Sequence, residues 1–244
     1  MSEPSRLGRE QSFGLAPPPA YLKTLELRAA FELAGLLPAL PWLCSQPRGV
    51  GEPVMLIPGF GAGDRFMSGL RTYLSALGHR PEGWGLGINR GRPERDAERL
   101  IERLDEDPEN PLRLVGWSLG GVIARLVARA RPNKVAQIIT MGTPVEGGPK
   151  YTSTGRYFAR KQGIDLDAFE VHVHKINAEG LNVPLTVIYS ESDGIVGSAS
   201  ARDRYNLQAR HVRLRGASHL GMPFNPRVWI EVARALAPSG TQAS

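Results

Sequence analysis

Short apolar runs alternate along this chain with longer stretches in which apolar residues return every three to four positions. An apolar run of four to seven residues bounded by turn formers reads as a buried strand, and the longer period reads as a helix with one face on a core. Strands are predicted at residues 54–57, 85–88, 112–115, 135–141, 185–189 and 211–214. Helices are predicted at 65–77, 93–104, 119–131 and 226–236, the second opened by Pro93 at its first position and the third following the glycine-rich turn at 116–120. This alternation indicates an α/β fold: a mostly parallel central sheet with helices on both faces. Residues 146–179 interrupt the rhythm and carry Tyr151, Tyr157, Phe158, Phe169, His172 and His174. An insertion after a strand's carboxyl end lies over the ligand crevice of such a sheet, so a small cap or lid is expected there.

The ends of the chain follow other patterns. Residues 1–19 are rich in Ser, Arg, Gly and Pro, end in Pro17-Pro18-Pro19 and read as a flexible arm; residues 238–244 read as a polar tail. Residues 20–49 form an N-terminal helical segment before the main domain at 50–237. Its apolar positions predict a helix ending near Leu37, with a narrow polar strip at Thr24, Arg28 and Glu32. Glu32, Pro38 and Pro41 leave it too broken to span a bilayer. Two readings stay open: a helix packed on the main domain, or one making a peripheral membrane contact or a dimer.

Composition narrows the partners. The chain has 30 Lys and Arg against 24 Asp and Glu, a net charge of +6. These residues are scattered and no nucleic-acid motif accompanies them, so no nucleic-acid partner is expected. Cys44 is the single cysteine, which precludes an internal disulfide and leaves no cysteine pair for a zinc site. The start lacks a basic segment followed by an apolar run, so no signal peptide is read and a cytoplasmic location is expected.

Candidate chemistry centres on Gly116-Trp117-Ser118-Leu119-Gly120, a G-x-S-x-G pentapeptide between a predicted strand and a predicted helix. That context suits a serine lifted above a sheet edge on a strained turn at a helix N-terminus. A serine hydroxyl needs a base to attack at neutral pH. Of the five histidines, His219 alone follows the final strand in a short loop; His79 reads as a surface turn residue. Asp193 follows the preceding strand and would orient the base, with Glu191 as competitor. The order Ser118, Asp193, His219 matches one hydrolase architecture. The oxyanion donors are expected to be the amides of Leu119 and Phe60, with Gly61 second to Phe60. Gly61, Trp117, Pro144, Val145, Ile195, Leu220 and Met222 flank these positions and are the candidate substrate contacts.

With Pro58-Gly59-Phe60-Gly61, the turn around Ser118, Gly142-Thr143-Pro144, residues 190–196 and 216–219, the chain resembles the α/β-hydrolase superfamily, most closely its lipase and esterase branch. Many relatives carry His-Gly where this chain has Pro58-Gly59. The resemblance implies cleavage of small-molecule or lipid-like carboxylic esters through an acyl-enzyme, with no cofactor and no metal. An acyltransferase or perhydrolase using the same residues, and a non-catalytic ligand-binding homologue, are the alternatives.

Overall fold

The computed structural model describes residues 15–106 and 111–237. The expected arm and tail therefore lie mostly outside the described residues; only 15–19 are seen, running without regular structure into the first helix. Among the described residues, six strands form one parallel sheet: β1 (Pro53–Ile57), β2 (Arg80–Gly83), β3 (Leu112–Trp117), β4 (Val135–Met141), β5 (Leu185–Ser190) and β6 (Arg210–Leu214). Their order is β2-β1-β3-β4-β5-β6. Ile57 pairs with Gly116, Gly116 with Thr140, and Thr140 with Val187, so the central strands end together at one edge.

Alternate residues of each strand feed two cores, as the two-residue side-chain period requires. Val54, Leu56, Val115, Trp117, Ile139, Met141 and Ile188 enter one core; Met55, Ile57, Leu114, Ile138 and Val187 enter the other. The helices are α1 (Ala20–Thr24), α2 (Ala29–Ala34), α3 (Leu36–Cys44), α4 (Ser68–Ala76), α5 (Pro93–Glu106), α6 (Leu119–Ala130), α7 (Gly155–Gln162), α8 (Leu166–Ala178) and α9 (Pro226–Leu236). Leu70 and Leu74 of α4, Trp229 and Val232 of α9, and Leu43 of α3 cover the first face. Leu100 of α5 and Ile123 and Val127 of α6 cover the second. The segment between β4 and β5 forms a short 3-10 turn followed by α7 and α8.

Three expectations are corrected. The second strand is not at 85–88 but at Arg80–Gly83. Gly85 and Gly87 adopt φ of 74° and 78°, which a strand does not allow, whereas β2 pairs only with β1 at the sheet edge. An edge position tolerates Pro81, which lacks a donor. The N-terminal segment is not one helix ending near Leu37. It runs through α1, a 3-10 turn at Leu25–Arg28 and α2, bends by 57° at Gly35, and continues as α3 to Cys44. Pro38 falls in the first turn of α3, where no internal donor is needed.

His79, finally, is buried rather than surface, with its Nδ1 3.0 Å from Glu52 Oε2. Burial holds its pKa below the ordinary 6.5; the Glu52 carboxylate opposes that shift without cancelling it. The unfolded chain therefore takes up a proton at higher pH than the folded one, and stability falls as pH drops through about 6.5. His79→Gln is expected to flatten the decline of melting temperature over that range, measured by thermal unfolding in a buffer series.

Candidate active site

The turn between β3 and α6 holds the site together. Ser118 has φ 54° and ψ −122°, and it is the one non-glycine residue with positive φ among the described residues. Such a conformation persists only where the surroundings over-determine it. Here its amide donates to Met141 O at 2.8 Å, and its carbonyl accepts from Gly121 N and Thr143 Oγ1, each at 3.0 Å. The flanking glycines are required by space. A Cβ on Gly116 would come within 2.5 Å of Gly120 O, and one on Gly120 within 2.1 Å of Ile57 O. The pentapeptide is thus what lets β3 turn sharply into α6 against the end of β1.

The structure brings Ser118, His219 and Asp193 into one hydrogen-bonded series. His219 Nε2 is 2.9 Å from Ser118 Oγ, and His219 Nδ1 is 2.7 Å from Asp193 Oδ2. Asp193 and His219 are buried. The other carboxylate oxygen, Asp193 Oδ1, accepts from the amides of Ile195 and Val196 at 2.8 and 2.7 Å, which aims Oδ2 at the ring. The competitor Glu191 lies outside this series and pairs with Arg213. Trp117 Nε1 donates to His219 O at 3.1 Å.

The loop after β1 carries Phe60 and Gly61. The amide of Gly61 donates to Asn89 O at 2.8 Å, leaving Phe60 as the candidate donor in that loop. Buried Asn89 also donates from Nδ2 to Pro58 O, so it pins the loop beneath Ser118. Leu119 is the first residue of α6, where the amide has no partner within the helix.

Sequence reasoning missed the role of Glu26. Its carboxylate is buried and accepts three backbone N–H groups: Gly194 at 2.7 Å, His219 at 3.0 Å and Leu220 at 2.8 Å. One side chain of the N-terminal segment therefore ties the Asp193 loop to the His219 loop. Glu32 adds to this, accepting from Ser218 N at 2.8 Å and Asn225 Nδ2 at 2.6 Å, while Arg28 donates to Ser192 O. The available signal was two carboxylates in an otherwise apolar stretch, which suggests an inward-facing polar side.

A cavity of about 240 Å³ opens beside Ser118. Val122 and Leu126 of α6, Pro144 and Val145 after β4, and Ile195 form its floor; Tyr157, Phe158, Phe169, Val173 and Ile176 of α7 and α8 roof it. Of the candidate substrate contacts, Pro144, Val145 and Ile195 line this cavity and four do not. Trp117 stacks on Phe66 at 4.8 Å and Met222 is fully buried, both in the core; Gly61 belongs to the loop bonded to Asn89, and Leu220 is exposed. Among the described residues, no three His, Cys, Asp or Glu side chains converge as metal ligands would.

No family model matches the chain. A 96-residue stretch, 37% of the chain, is 34% identical to a pimeloyl-[acyl-carrier protein] methyl ester esterase of Aromatoleum aromaticum. A stretch of the same length is 32% identical to a biotin biosynthesis bifunctional protein BioHC of Teredinibacter turnerae. These matches span only 36% and 17% of those relatives. Among solved structures, a monoacylglycerol lipase of Paleococcus ferrophilus superposes with TM-score 0.55 at 18% identity, covering 77% of this chain and 97% of that one. Est816, described as an N-acyl homoserine lactone degrading enzyme, superposes with TM-score 0.58 at 15% identity, covering 78% and 95%. The chain has the α/β-hydrolase fold.

Glu26→Gln replaces a charged acceptor with a neutral amide whose NH₂ faces backbone donors. It is expected to cost about 2–3 kcal/mol of stability, read by denaturant unfolding. It should also lower kcat for any ester turned over, with KM little changed.

Proposed function

We propose that this chain of α/β-hydrolase fold is a serine carboxylic ester hydrolase acting on hydrophobic acyl esters. The observation that carries the reading is the series Ser118 Oγ, His219 Nε2, Nδ1, Asp193 Oδ2, with gaps of 2.9 and 2.7 Å. Those are hydrogen-bond distances for a nucleophile, its general base and the group that orients the base. The 34% identity of one stretch to an esterase points the same way.

In this reading Ser118 Oγ attacks the ester carbonyl carbon while His219 Nε2 takes the hydroxyl proton. Asp193 accepts the Nδ1–H bond and stabilises the imidazolium. The carbonyl oxygen becomes an oxyanion and receives N–H groups from Leu119 and Phe60, the first at the positive end of α6. Collapse breaks the bond to the leaving oxygen, which takes the Nε2 proton and departs as the alcohol. A water then gives a proton to His219 and attacks the acyl-enzyme. The acid leaves, the proton returns to Oγ, and the cycle uses no redox partner.

The acyl group is assigned from the shape of the cavity. Val122, Leu126 and Arg129 follow Ser118 along one face of α6, and all three line it. From Ser118 to Arg129 the helix rises about 16 Å. A mostly apolar cavity that long suits an extended acyl chain better than an acetyl group.

Ser118→Ala is expected to abolish both fluorophosphonate labelling and turnover of chromogenic esters, and Asp193→Asn to lower kcat by about 10³–10⁴-fold. Well-folded wild-type protein that takes no label would overturn the proposal. In a chain-length series the optimum is expected between hexanoate and decanoate. Val122→Trp, which blocks the groove just past Ser118, should shift that optimum to acetate or butyrate; a wild-type optimum at acetate would contradict the acyl assignment.

A further inference from the structure

The N-terminal segment is turned inside out relative to an ordinary surface helix. Its two carboxylates, Glu26 and Glu32, face inward and are used by the loops around Asp193 and His219. Leu22 and Leu43 anchor it to the core, but most of its large apolar side chains face outward: Leu27 is 83% exposed, Phe31 80%, Leu37 73% and Trp42 66%. Tyr21, Leu33 and Leu40 extend the same exposed surface. Isolated exposed apolar residues are ordinary, but this many along one short segment mark a surface that something covers.

Charge selects the occupant. Within residues 20–48 the outward-facing charges are Lys23 and Arg48. Exposed Arg234, which also pairs with Glu231, reaches Gln46 just beyond α3. The chain as a whole carries +6. An apolar face edged by cations, with its carboxylates withdrawn, matches the boundary between acyl chains and anionic headgroups. The shape agrees. No single helix among the described residues is long and apolar enough to cross a membrane, yet α1–α2 and α3 together have the hydropathy of a span, bent by 57°.

We propose that residues 20–44 dock this protein on an anionic lipid surface through Leu27, Phe31, Leu37 and Trp42. The inner face of the same segment grips the loops of Asp193 and His219, so docking holds the candidate active site at the bilayer boundary.

Trp42 supplies the readout, because Trp84, Trp117 and Trp229 are buried. The full chain is mixed with phosphatidylglycerol-containing vesicles or with pure phosphatidylcholine vesicles. A blue shift of tryptophan emission and co-sedimentation are expected with the first and little of either with the second, weakening as salt rises. Leu27→Glu with Phe31→Glu should reduce partitioning by about tenfold or more. Hydrolysis of a water-soluble short ester and the melting temperature should hardly change. Absence of vesicle binding by wild type overturns the proposal. So does a dimer in light scattering that the same two substitutions dissociate, which would assign the face to a second copy. Binding is read without turnover, so this test and that of ester hydrolysis fail separately.

Discussion

Ser118 is held at a positive φ, and most of what surrounds it serves to keep it there. A β-carbon in that region crowds its own backbone, at a cost of order 1–3 kcal/mol unless packing leaves no alternative. The alternatives are removed by the close fit of α6 against the ends of β1 and β4. Gly116, Gly120 and Gly121 allow that approach because a side chain on any of them would overlap a neighbour. The register of β1, β3 and β4 sets the distance, and both cores keep the strands from sliding. Strain at one residue thus rests on the packing of the whole sheet.

The histidine and aspartate lack such a built-in constraint. They sit in loops, after β6 and β5, and loops need external ties to hold a geometry of a few tenths of an ångström. The N-terminal segment supplies them from more than 160 positions away in sequence. The carboxylate of Glu26 is well suited to this role: two oxygens with several lone pairs can collect backbone donors from both loops. Buried amides that would otherwise lack partners are satisfied by the same bonds. A segment that reads as a peripheral appendage is part of the site's frame.

That arrangement also explains the outward face of the segment. Polar groups that the loops require take up much of the inner face, which leaves Leu27, Phe31, Leu37 and Trp42 outside. The helices between β4 and β5 work in the opposite way, turning Phe158, Phe169 and Val173 inward over the cavity beside Ser118.

The sequence by itself determined the strand–helix alternation, the ends of β4 and α9 to the residue, and the order of Ser118, Asp193 and His219. These are local: continuous apolar runs, a closing helix with its own apolar period and a glycine-flanked serine are legible without knowing what lies across the fold. Tertiary structure decided the rest. Edge strand β2 carries no strong pattern because it has one neighbour and little to bury. His79 is inside because Glu52 meets it there. Trp117 packs the core rather than the cavity because the alternation of β3 turns it to the other face, and Met222 enters the same core from the turn before α9. Glu26 and Glu32 acquire their partners only when residues far apart in sequence converge, and no period or spacing along the chain can record that.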